Sequence, residues 1–546
     1  MRNRPPTIGE YLLNKLESYN IGHIFGIPGD YVLRFYKLIE ESSIQHIGMT
    51  REDAAGYAAD AYARTNGMGV VCITYCVGGL STVNAIAGAY AEKSPVVVIS
   101  GAPGINERGK DALLHHKVKD FHTQLRIYDE ITVATELLDE PFTAFNEIDN
   151  VLDAVFQYKR PGYIELPRDM VDVRGTLYRR ASTGEHKSDT DSLNAAVRDA
   201  VKFINQSKNP VILAGVELHR FGFQDKLLKI VEEKQIPVVA TLLGKSVMPE
   251  AHPLYLGIYE GAMGRREITE FVERSDCVII LGAFMTDVNL GIYTANLDRS
   301  RSIYATSEKI SIQYHSYDDV MFEDFIDLLN SDKLRKQKKP NLSWIKPESK
   351  PFEVQPKKSI TVKRFFQHLN TFITDEMSVI ADVGDSLFGA AELRIPQHTN
   401  FISPAYYTSM GFAVPASIGT QLSVPNTRPL VIVGDGAFQM TGTELSTTVR
   451  YGLNPIVVIL NNQGYGTERH LLEGTFNDIG CWNYSSLPTL FTAGHGFHVR
   501  TEGEFDEAMK AALDETEQFI IIEVELEKLD RSPALARLAE RMAEEI

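Results

Sequence analysis

Cysteine is scarce in this chain, with four residues among 546: Cys72, Cys76, Cys277 and Cys481. Their spacing matches no zinc motif, so a structural zinc site is not expected. Cys72 and Cys76 lie in one apolar, strand-like segment, which favours buried thiols over a disulfide. The sequence is therefore not typical of a small disulfide-rich or zinc-stabilised domain.

Basic residues and long apolar segments are also lacking. The 55 lysines and arginines face 72 aspartates and glutamates, which gives a net charge of −17. This excess argues against nucleic acid or an anionic membrane as a partner. No segment has the roughly 18 consecutive apolar residues of a membrane span, and the N-terminus lacks an apolar signal region. We expect a cytoplasmic protein with no membrane partner and no nucleic-acid partner.

The length predicts about three domains with large cores. Two polar stretches, residues 179–192 and 331–359, have the composition of exposed connections. They divide the chain into predicted domains at residues 1–180, 193–335 and 358–546. Apolar strands alternate with amphipathic helices in each domain, with strands expected at 69–75, 95–100, 210–214, 237–240, 277–281, 378–381, 430–433, 456–460 and 519–524. This alternation predicts an α/β fold with three doubly wound parallel sheets.

The most informative pattern is a Gly-Asp-Gly-Ala segment, residues 434–437, that directly follows one predicted strand. A helix is expected over 438–451, and the next strand ends at Asn461 and Asn462. Parallel strands end at the same edge of a sheet, so Asp435 and Asn462 should lie close together. Their oxygens suit Mg²⁺ or Ca²⁺, and the glycines allow a pyrophosphate to approach the helix N-terminus.

A plainer interpretation is that this segment is only a turn, since short glycine patterns are weak evidence. The pattern also fails the dinucleotide-binding fingerprint, because Gln439 occupies the place of the third glycine. Taken with the distance to Asn462, however, it resembles the signature of thiamine diphosphate enzymes. The resemblance covers nearly the whole chain and implies a pyrimidine-binding, a middle and a diphosphate-binding domain, in that order.

The resemblance also implies the ligands of the cofactor thiamine diphosphate and of Mg²⁺. Asp435, Asn462 and the carbonyl of Gly464 would bind the metal ion, and Gly436 and Ala437 would contact the diphosphate. Ala437 departs from the family pattern, because many members have a serine there whose hydroxyl helps to hold the phosphate. A backbone contact would have to serve at this position.

Glu52 begins an alanine-rich segment suited to a closely packed helix. The resemblance assigns it a hydrogen bond to the aminopyrimidine ring of the cofactor, which promotes loss of the thiazolium proton. The plainer interpretation is a first-turn glutamate that the helix dipole favours. In this family the cofactor lies between two subunits, one contributing Glu52 and the other Asp435. A homodimer or a dimer of dimers is therefore implied.

Four further residues indicate which branch of the thiamine diphosphate enzymes the chain resembles: Asp30, His115, His116 and Glu468. Each alone has an ordinary explanation as a turn residue, a chance pair or a surface acid. Together they match the order found in thiamine diphosphate-dependent 2-oxo acid decarboxylases, which act on pyruvate, indolepyruvate or phenylpyruvate. After carbon dioxide leaves, the product carbon must gain a proton and a hydroxyl must lose one before the aldehyde departs, so several proton carriers are needed.

The segment 403–412 supplies two more predicted contacts. The resemblance places Met410 beneath the bent cofactor and lets the carbonyl of Thr408 accept a hydrogen bond from the pyrimidine amine. This bend would bring the amine close to the reacting carbon. The alternative is that Met410 is ordinary core packing.

Substrate size is predicted from three residues. Thr467 precedes Glu468, where pyruvate-restricted members usually have a bulkier aliphatic residue, and Leu387 and Phe388 are predicted to form another wall of the substrate pocket. A small-molecule 2-oxo acid with a long or aromatic side chain, such as phenylpyruvate or indolepyruvate, should therefore be preferred over pyruvate.

Besides a benzoylformate-type decarboxylase, whose catalytic histidines lie in different segments, two alternative functions remain open at this stage. An acetolactate synthase-like carboligase would share the metal site, but it lacks the histidine pair and usually binds flavin. Residues 213–215 and 281–283 could line such a nucleotide, although strand-to-helix turns are the favoured interpretation. A catalytically silent regulatory subunit is the second alternative, and the intact acidic residues Asp30, Glu52, Asp435 and Glu468 argue against it.

Overall fold

The computed structural model describes residues 4–108, 112–176, 187–331, 333–338, 340–345, 351–396 and 400–542. Three β-sheets, each flanked by helices, follow one another along this part of the chain. Within the described ranges, no helix is both long enough and apolar enough to cross a membrane.

The first sheet contains six parallel strands in the order β2-β1-β3-β4-β6-β5. The strands are β1 (His23–Gly26), β2 (Gln45–Gly48), β3 (Gly69–Ile73), β4 (Val96–Ala102), β5 (Ala134–Leu137) and β6 (Gly162–Pro167). The helices are α1 (Ile8–Ser18), α2 (Leu33–Glu40), α3 (Glu52–Asn66), α4 (Val77–Ala91), α5 (Ile105–Arg108), α6 (Thr123–Asp129) and α7 (Ala144–Tyr158).

The middle sheet has seven strands in the order β13-β12-β11-β10-β7-β8-β9. Its strands are β7 (Pro210–Ala214), β8 (Val238–Ala240), β9 (Tyr255–Ile258), β10 (Cys277–Leu281), β11 (Ser302–Ala305), β12 (Ile310–Ile312) and β13 (His315–Tyr317). Its helices are α8 (Thr190–Gln206), α9 (Glu217–Arg220), α10 (Gln224–Lys234), α11 (Arg266–Glu273) and α12 (Phe322–Leu329).

This middle sheet is not wholly parallel, which corrects the prediction of three parallel sheets. Strands β11, β12 and β13 pair in antiparallel fashion. Only residues 306–309 separate β11 from β12, and only 313–314 separate β12 from β13. Such connections are too short for the crossover that parallel neighbours need, so they form hairpins at this edge.

The third sheet has six parallel strands in the order β15-β14-β16-β17-β19-β18. Its strands are β14 (Met377–Ala381), β15 (Phe401–Ile402), β16 (Arg428–Gly434), β17 (Ile456–Asn461), β18 (His495–Val499) and β19 (Ile520–Glu525). Its helices are α13 (Val362–Leu369), α14 (Asp385–Ala390), α15 (Ala413–Ser423), α16 (Asp435–Thr441), α17 (Leu445–Tyr451), α18 (Gly466–Leu471), α19 (Leu487–Phe491), α20 (Glu502–Asp514) and α21 (Pro533–Met542).

Both faces of the outer sheets are buried, as expected for parallel sheets between helix layers. In β3, Val70 and Cys72 pack into one apolar cluster, and the alternate residues Val71 and Ile73 pack into another. The cysteines Cys72, Cys76 and Cys277 are buried as free thiols, and Cys481 is exposed. The expectation of buried thiols at positions 72 and 76 is therefore confirmed.

The first and third sheets are joined through α3 and α15. The alanine-rich α3 is buried along most of its length, which fits its predicted close packing. A Cβ at Gly419 in α15 would lie 1.9 Å from the carbonyl oxygen of Ala58, so the two helix backbones nearly touch. This contact holds the first sheet against the third sheet of the same chain.

Every predicted strand is present and begins and ends within two residues of its predicted limits. The connection predicted over 179–192 ends too late, because Asp189 caps α8 by accepting a hydrogen bond of 2.8 Å from the Ser192 N–H. Residues 177–186 lie outside the described part of the chain. In the described portion of 331–359 there are turns and one bridge, Ser359 to Thr501. The exact domain limits stay predictions.

Candidate active site

The centre of the site is the edge of the third sheet at which β16 and β17 end. These strands are adjacent and parallel, with Gly434 opposite Leu460. Asp435 therefore starts α16 at the same edge where Asn462 follows β17, as the spacing predicts. Asp435 and Asn462 both line one cavity with a volume of about 510 Å³.

Asp435 is a buried carboxylate held by backbone donors. Only 1% of the residue is exposed. One oxygen accepts a hydrogen bond of 2.8 Å from the Gly436 N–H, and the other accepts one of 3.1 Å from the Gly464 N–H. Burial raises the pKa of this carboxyl to about 6, and the backbone donors only partly offset that effect. A cation bound at these oxygens would restore the ionised form.

The residues at this edge fit a divalent cation and a diphosphate. Asp435, Asn462 and Gly464 offer hard oxygen ligands of the kind Mg²⁺ takes. Helix α16 starts with Gly434 as its N-cap and has no side-chain cap at that residue. Apart from the Gly436 N–H, which is bonded to Asp435, the N–H groups of its first turn lack intrahelical partners and suit an anion. A Cβ at Gly436 would lie 2.7 Å from the Tyr465 ring, so glycine is required for this close packing.

The cavity contains most of the predicted cofactor and substrate contacts. From the predicted set, its lining includes Phe388, Thr408, Met410, Asp435, Gly436, Ala437, Asn462, Gly464, Thr467 and Glu468. Glu468 is exposed in the first turn of α18. The hydroxyl of Thr467 is buried and has no hydrogen-bond partner among the residues described.

The segment before α15 is held in an unusual conformation. Thr408 has a φ of +55°, a left-handed value that is rare for a β-branched residue. The buried carboxylate of Asp382 accepts hydrogen bonds from the N–H groups of Gly411 (3.1 Å) and Ala413 (2.8 Å). Met410 packs against a buried apolar cluster and also faces the cavity. Met410 therefore packs in the core and also lines the cavity, while its place beneath the cofactor stays a prediction.

A second cluster of predicted catalytic residues lies at the carboxyl edge of the first sheet. Asp30 follows β1, and His115 and His116 lie in a turn between α5 and α6. The Nε2 atom of His115 is 2.9 Å from Oδ2 of Asp30. Ligand-type atoms of Asp30, His115 and His116 all lie within 4.8 Å of one another. The structure thus brings these three predicted residues together.

Glu52 lies on the same edge, as the first residue of α3. It is partly buried, and its Cγ lies 3.6 Å from where a Cβ on Gly78 would be. Neither Glu52 nor the Asp30–His115–His116 cluster lines the cavity around Asp435. A single chain therefore contains two separate sets of predicted functional side chains.

Comparison with known proteins identifies the family. A model of the thiamine pyrophosphate enzyme N-terminal binding domain matches residues 6–125, the central-domain model matches 197–324, and the C-terminal binding-domain model matches 382–524. An indole-3-pyruvate decarboxylase from Azospirillum brasilense is 35% identical over 541 residues, which cover 98% of each chain.

Two further relatives extend this result. Pyruvate decarboxylase 4 of Arabidopsis thaliana is 31% identical over 552 residues, covering 98% of this chain and 92% of the plant protein. An alpha-keto-acid decarboxylase of Mycobacterium leprae is 33% identical over 542 residues, covering 97% and 95%. The chain belongs to the thiamine diphosphate-dependent 2-oxo acid decarboxylase family. The predicted family, the α/β fold class and thiamine diphosphate as the cofactor are thereby confirmed.

Within this decarboxylase family fold, Leu387 does not occupy its predicted place. It is 1% exposed, packs into an apolar cluster and does not line the cavity. Its neighbour Phe388 does line the cavity, because adjacent residues of a helix point about 100° apart. Leu387 therefore acts as core packing, and Phe388 alone of this pair reaches the site.

In the middle domain of this family member, the turns that follow its first and fourth strands lie directly against each other. A Cβ at Gly215 would lie 2.1 Å from the Cα of Ala283. The N–H of Gly215 donates a hydrogen bond of 2.8 Å to the carbonyl of Leu281. These backbones are in direct contact, which supports the interpretation of 213–215 and 281–283 as turns.

Sequence reasoning missed the residues that orient the Thr408 segment. Glu92 is fully buried and accepts hydrogen bonds from the N–H groups of Tyr406 (2.8 Å) and Tyr407 (2.9 Å). Asp382 has no exposed surface, and burial raises its pKa to about 6. The sequence does contain a signal for Glu92 and Asp382, because each is an acidic residue within or beside an apolar segment. A buried acidic residue requires a polar partner.

Proposed function

We propose that this protein converts a 2-oxo acid, without oxidation, to an aldehyde and carbon dioxide, using thiamine diphosphate and Mg²⁺. The observation that carries the proposal is the buried carboxylate of Asp435 in the same cavity as Glu468. A metal and diphosphate site directly beside a solvent-accessible acid fits a reaction in which a carboxylate is lost near the bound cofactor.

Asp435, Asn462 and the carbonyl of Gly464 would hold Mg²⁺, and Gly436 and Ala437 at the start of α16 would receive the diphosphate. Thiamine diphosphate, when bound, supplies a carbon nucleophile and an acceptor for the electrons released with carbon dioxide. Met410 would support the cofactor from below, and the carbonyl of Thr408 would orient its amine.

The acidic and histidine side chains would then move protons. Glu52 would exchange a proton with the pyrimidine ring nitrogen, which makes the ring amine a base. Glu468, when protonated, would donate a hydrogen bond to the substrate carboxylate. Asp30, His115 and His116 would carry protons to the product carbon and away from its hydroxyl before the aldehyde leaves.

The two sets of side chains support a homodimer, or a dimer of dimers, with shared sites. Glu52 and Asp30 do not line the Asp435 cavity of the same chain. Apolar residues beside each set are exposed: Val77 at the start of α4 is 55% exposed, and Met440 in α16 is 46% exposed. A second copy that covers both would complete the site.

The cavity supports a substrate with a long or aromatic side chain. Its volume of about 510 Å³ is within the usual range for ligand pockets. Besides Phe388 and Thr467, the lining contains apolar residues from the middle region, from α18 and from the C-terminal helix α21: Met263, Val288, Ile292, Leu471 and Leu538. The Azospirillum relative is an indole-3-pyruvate decarboxylase by name.

The proposal also places the protein in the cytoplasm. Its buried cysteines are free thiols, which fits a reducing compartment.

A panel of 2-oxo acids tests the proposal. Purified protein with thiamine diphosphate and MgCl₂ should release carbon dioxide and one equivalent of aldehyde from at least one of pyruvate, 4-methyl-2-oxopentanoate, phenylpyruvate and indole-3-pyruvate. Formation of a hydroxyketone without free aldehyde would instead indicate a carboligase. Tight cofactor binding with no turnover of any substrate would indicate a silent subunit.

A further inference from the structure

An arginine that the proposed mechanism does not use lies beside the Asp30–His115 pair. Arg168 directly follows β6, and its Nη1 atom is 3.6 Å from Oδ2 of Asp30. The same Oδ2 atom is 2.9 Å from Nε2 of His115. One carboxylate oxygen thus lies between a permanent cation and an imidazole.

The guanidinium group of Arg168 is fixed in this place by two further contacts. It donates to both carboxylate oxygens of Glu107, with the bond from Nε measuring 3.0 Å. It also lies over the ring of Tyr31, 5.1 Å from the ring centre. A bidentate, stacked guanidinium has little freedom to leave, and a lysine could not reproduce both contacts.

Tyr31 connects Arg168 to the histidines. The tyrosine is 1% exposed, and its ring stacks on His115 with centroids 4.7 Å apart. It meets His116 edge-on at 6.0 Å, and its hydroxyl donates a hydrogen bond of 3.2 Å to the carbonyl oxygen of His115. Arg168, Tyr31 and His115 therefore form one continuous stack beside Asp30.

We infer that Arg168 is a positioning residue that holds the Asp30 carboxylate against His115 and, through its charge, favours proton transfer between the two. A cation 3.6 Å from a carboxylate opposes the arrival of a further positive charge beside it. The charged or titratable groups that face Asp30 are His115, His116, Arg168, Glu107 and Tyr31. Of these, Arg168 is the one that carries a positive charge at every working pH.

Two other roles fit the geometry less well. The trio Asp30, His115 and His116 could form a metal site by its spacing alone, but a guanidinium 3.6 Å from the carboxylate disfavours a bound cation. A purely structural role for the Arg168–Glu107 pair would need no contact with Asp30. Because the ion pair is partly exposed, its stabilising effect should be small.

The inference rests on the proposed decarboxylase function and is tested with full-length protein loaded with thiamine diphosphate and MgCl₂. Wild type, Arg168→Gln, Arg168→Lys and the control Arg34→Gln are compared, using whichever of pyruvate and phenylpyruvate the wild type converts faster. Arg34 forms a similar bidentate pair with Asp172, and in the described part of the chain neither side chain hydrogen-bonds to Asp30, Tyr31 or His115. The readouts are kcat and KM from pH 5 to 8, cofactor affinity and unfolding temperature.

Arg168→Gln should lower kcat roughly tenfold, which is less than the loss from removing an acid–base group itself. Cofactor affinity and unfolding temperature should stay near the wild-type values. The acid limb of the kcat profile should move to higher pH, because the pair takes up an extra proton more readily without the cation. Arg168→Lys should recover part of kcat and return the acid limb toward its wild-type position.

Three outcomes would overturn the inference. One is a kcat for Arg168→Gln within twofold of wild type with a superimposable pH profile. Another is a lower unfolding temperature with an unshifted profile, which would indicate a structural role. The third is a loss of kcat in the control Arg34→Gln that equals the loss in Arg168→Gln. Absence of turnover in the wild type would instead contradict the proposed function, so the two failures are distinguishable.

Discussion

The backbone N–H of Gly464 donates a hydrogen bond of 3.1 Å to the carboxylate of Asp435, although the two residues are 29 positions apart. The bond ties the loop after β17 to the start of α16. With the bond from the Gly436 N–H, it orients both oxygens of Asp435 without any ligand. The predicted metal site is thus preorganised, because backbone donors already hold its buried carboxylate in place.

The stability gained from the cofactor should depend on pH through Asp435. Burial raises its pKa to about 6 from 3.8, so a proton on this group stabilises the cofactor-free fold below about pH 4 and is lost as the pH rises through 6. The two-unit difference corresponds to at most roughly 3 kcal/mol. Bound Mg²⁺ favours the ionised form, so the rise in unfolding temperature on adding thiamine diphosphate and MgCl₂ should increase from pH 5 to pH 7.

Asp435→Asn is the control for this pH effect. Burial also raises the pKa values of Asp382 and Asp385 to about 6. These two groups titrate both with and without cofactor, so their contributions should largely cancel in the cofactor-induced shift of the unfolding temperature. The variant should bind cofactor weakly at every pH, and without cofactor it should be at least as stable as wild type at pH 7. An equal cofactor-induced shift at pH 5 and 7 in wild type would contradict the role of Asp435.

Shared active sites predict complementation between two inactive variants. Glu52→Gln should retain the cofactor but not its activation, and Asp435→Ala should lose the metal ligand. If the chain is a C2 dimer, a mixed dimer isolated with two affinity tags contains one site with both native residues, so it should have about half the wild-type activity. Each variant alone should be nearly inactive. A mixed dimer with no activity would place Glu52 and Asp435 in one site of a single chain.

The sequence was sufficient to predict the strands that carry the site, since each is an apolar segment flanked by turn residues. It also placed Asp435 and Asn462 at one edge, because parallel neighbours end together. The helix predicted over 438–451 is divided in the structure, with a 3₁₀ turn at Gly442–Glu444 between α16 and α17. Apolar spacing alone cannot locate such an interruption, which follows from packing around Gly442 beside the Phe438 ring.

Side-chain direction and separation were beyond sequence reasoning. Leu387 and Phe388 are both large, apolar and adjacent, and only the orientation of α14 decides which one reaches the cavity. The family resemblance implies that Glu52 and Asp435 act from different subunits, but no local pattern shows what keeps Glu52 out of the Asp435 cavity of its own chain. That arrangement depends on how α3 packs against α15, a contact between residues more than 350 positions apart.

Glu468 should affect turnover and leave cofactor binding intact. It lines the cavity from the first turn of α18 but is not among the predicted metal or diphosphate contacts. Glu468→Gln removes the titratable proton at nearly constant volume, so kcat should fall by a factor of roughly 100 or more with cofactor affinity unchanged. Glu376→Gln, at an exposed glutamate before β14, is the control. Full turnover in Glu468→Gln, measured under saturating substrate, would remove Glu468 from the mechanism.

The wild type should prefer phenylpyruvate to pyruvate in kcat/KM. Phe388 and Leu538 give the cavity apolar walls, and each additional buried methylene can contribute about 0.8 kcal/mol to binding in the transition state.

Thr467→Ile should lower the ratio of kcat/KM for phenylpyruvate to kcat/KM for pyruvate, because the larger side chain fills space that an aromatic ring would use. Thr467→Val keeps the volume and removes only a hydroxyl that lacks a hydrogen-bond partner in the described structure, so its ratio should stay close to that of wild type. A wild-type ratio below one would show that the cavity selects small substrates, and an unchanged ratio in Thr467→Ile would show that position 467 does not limit substrate size.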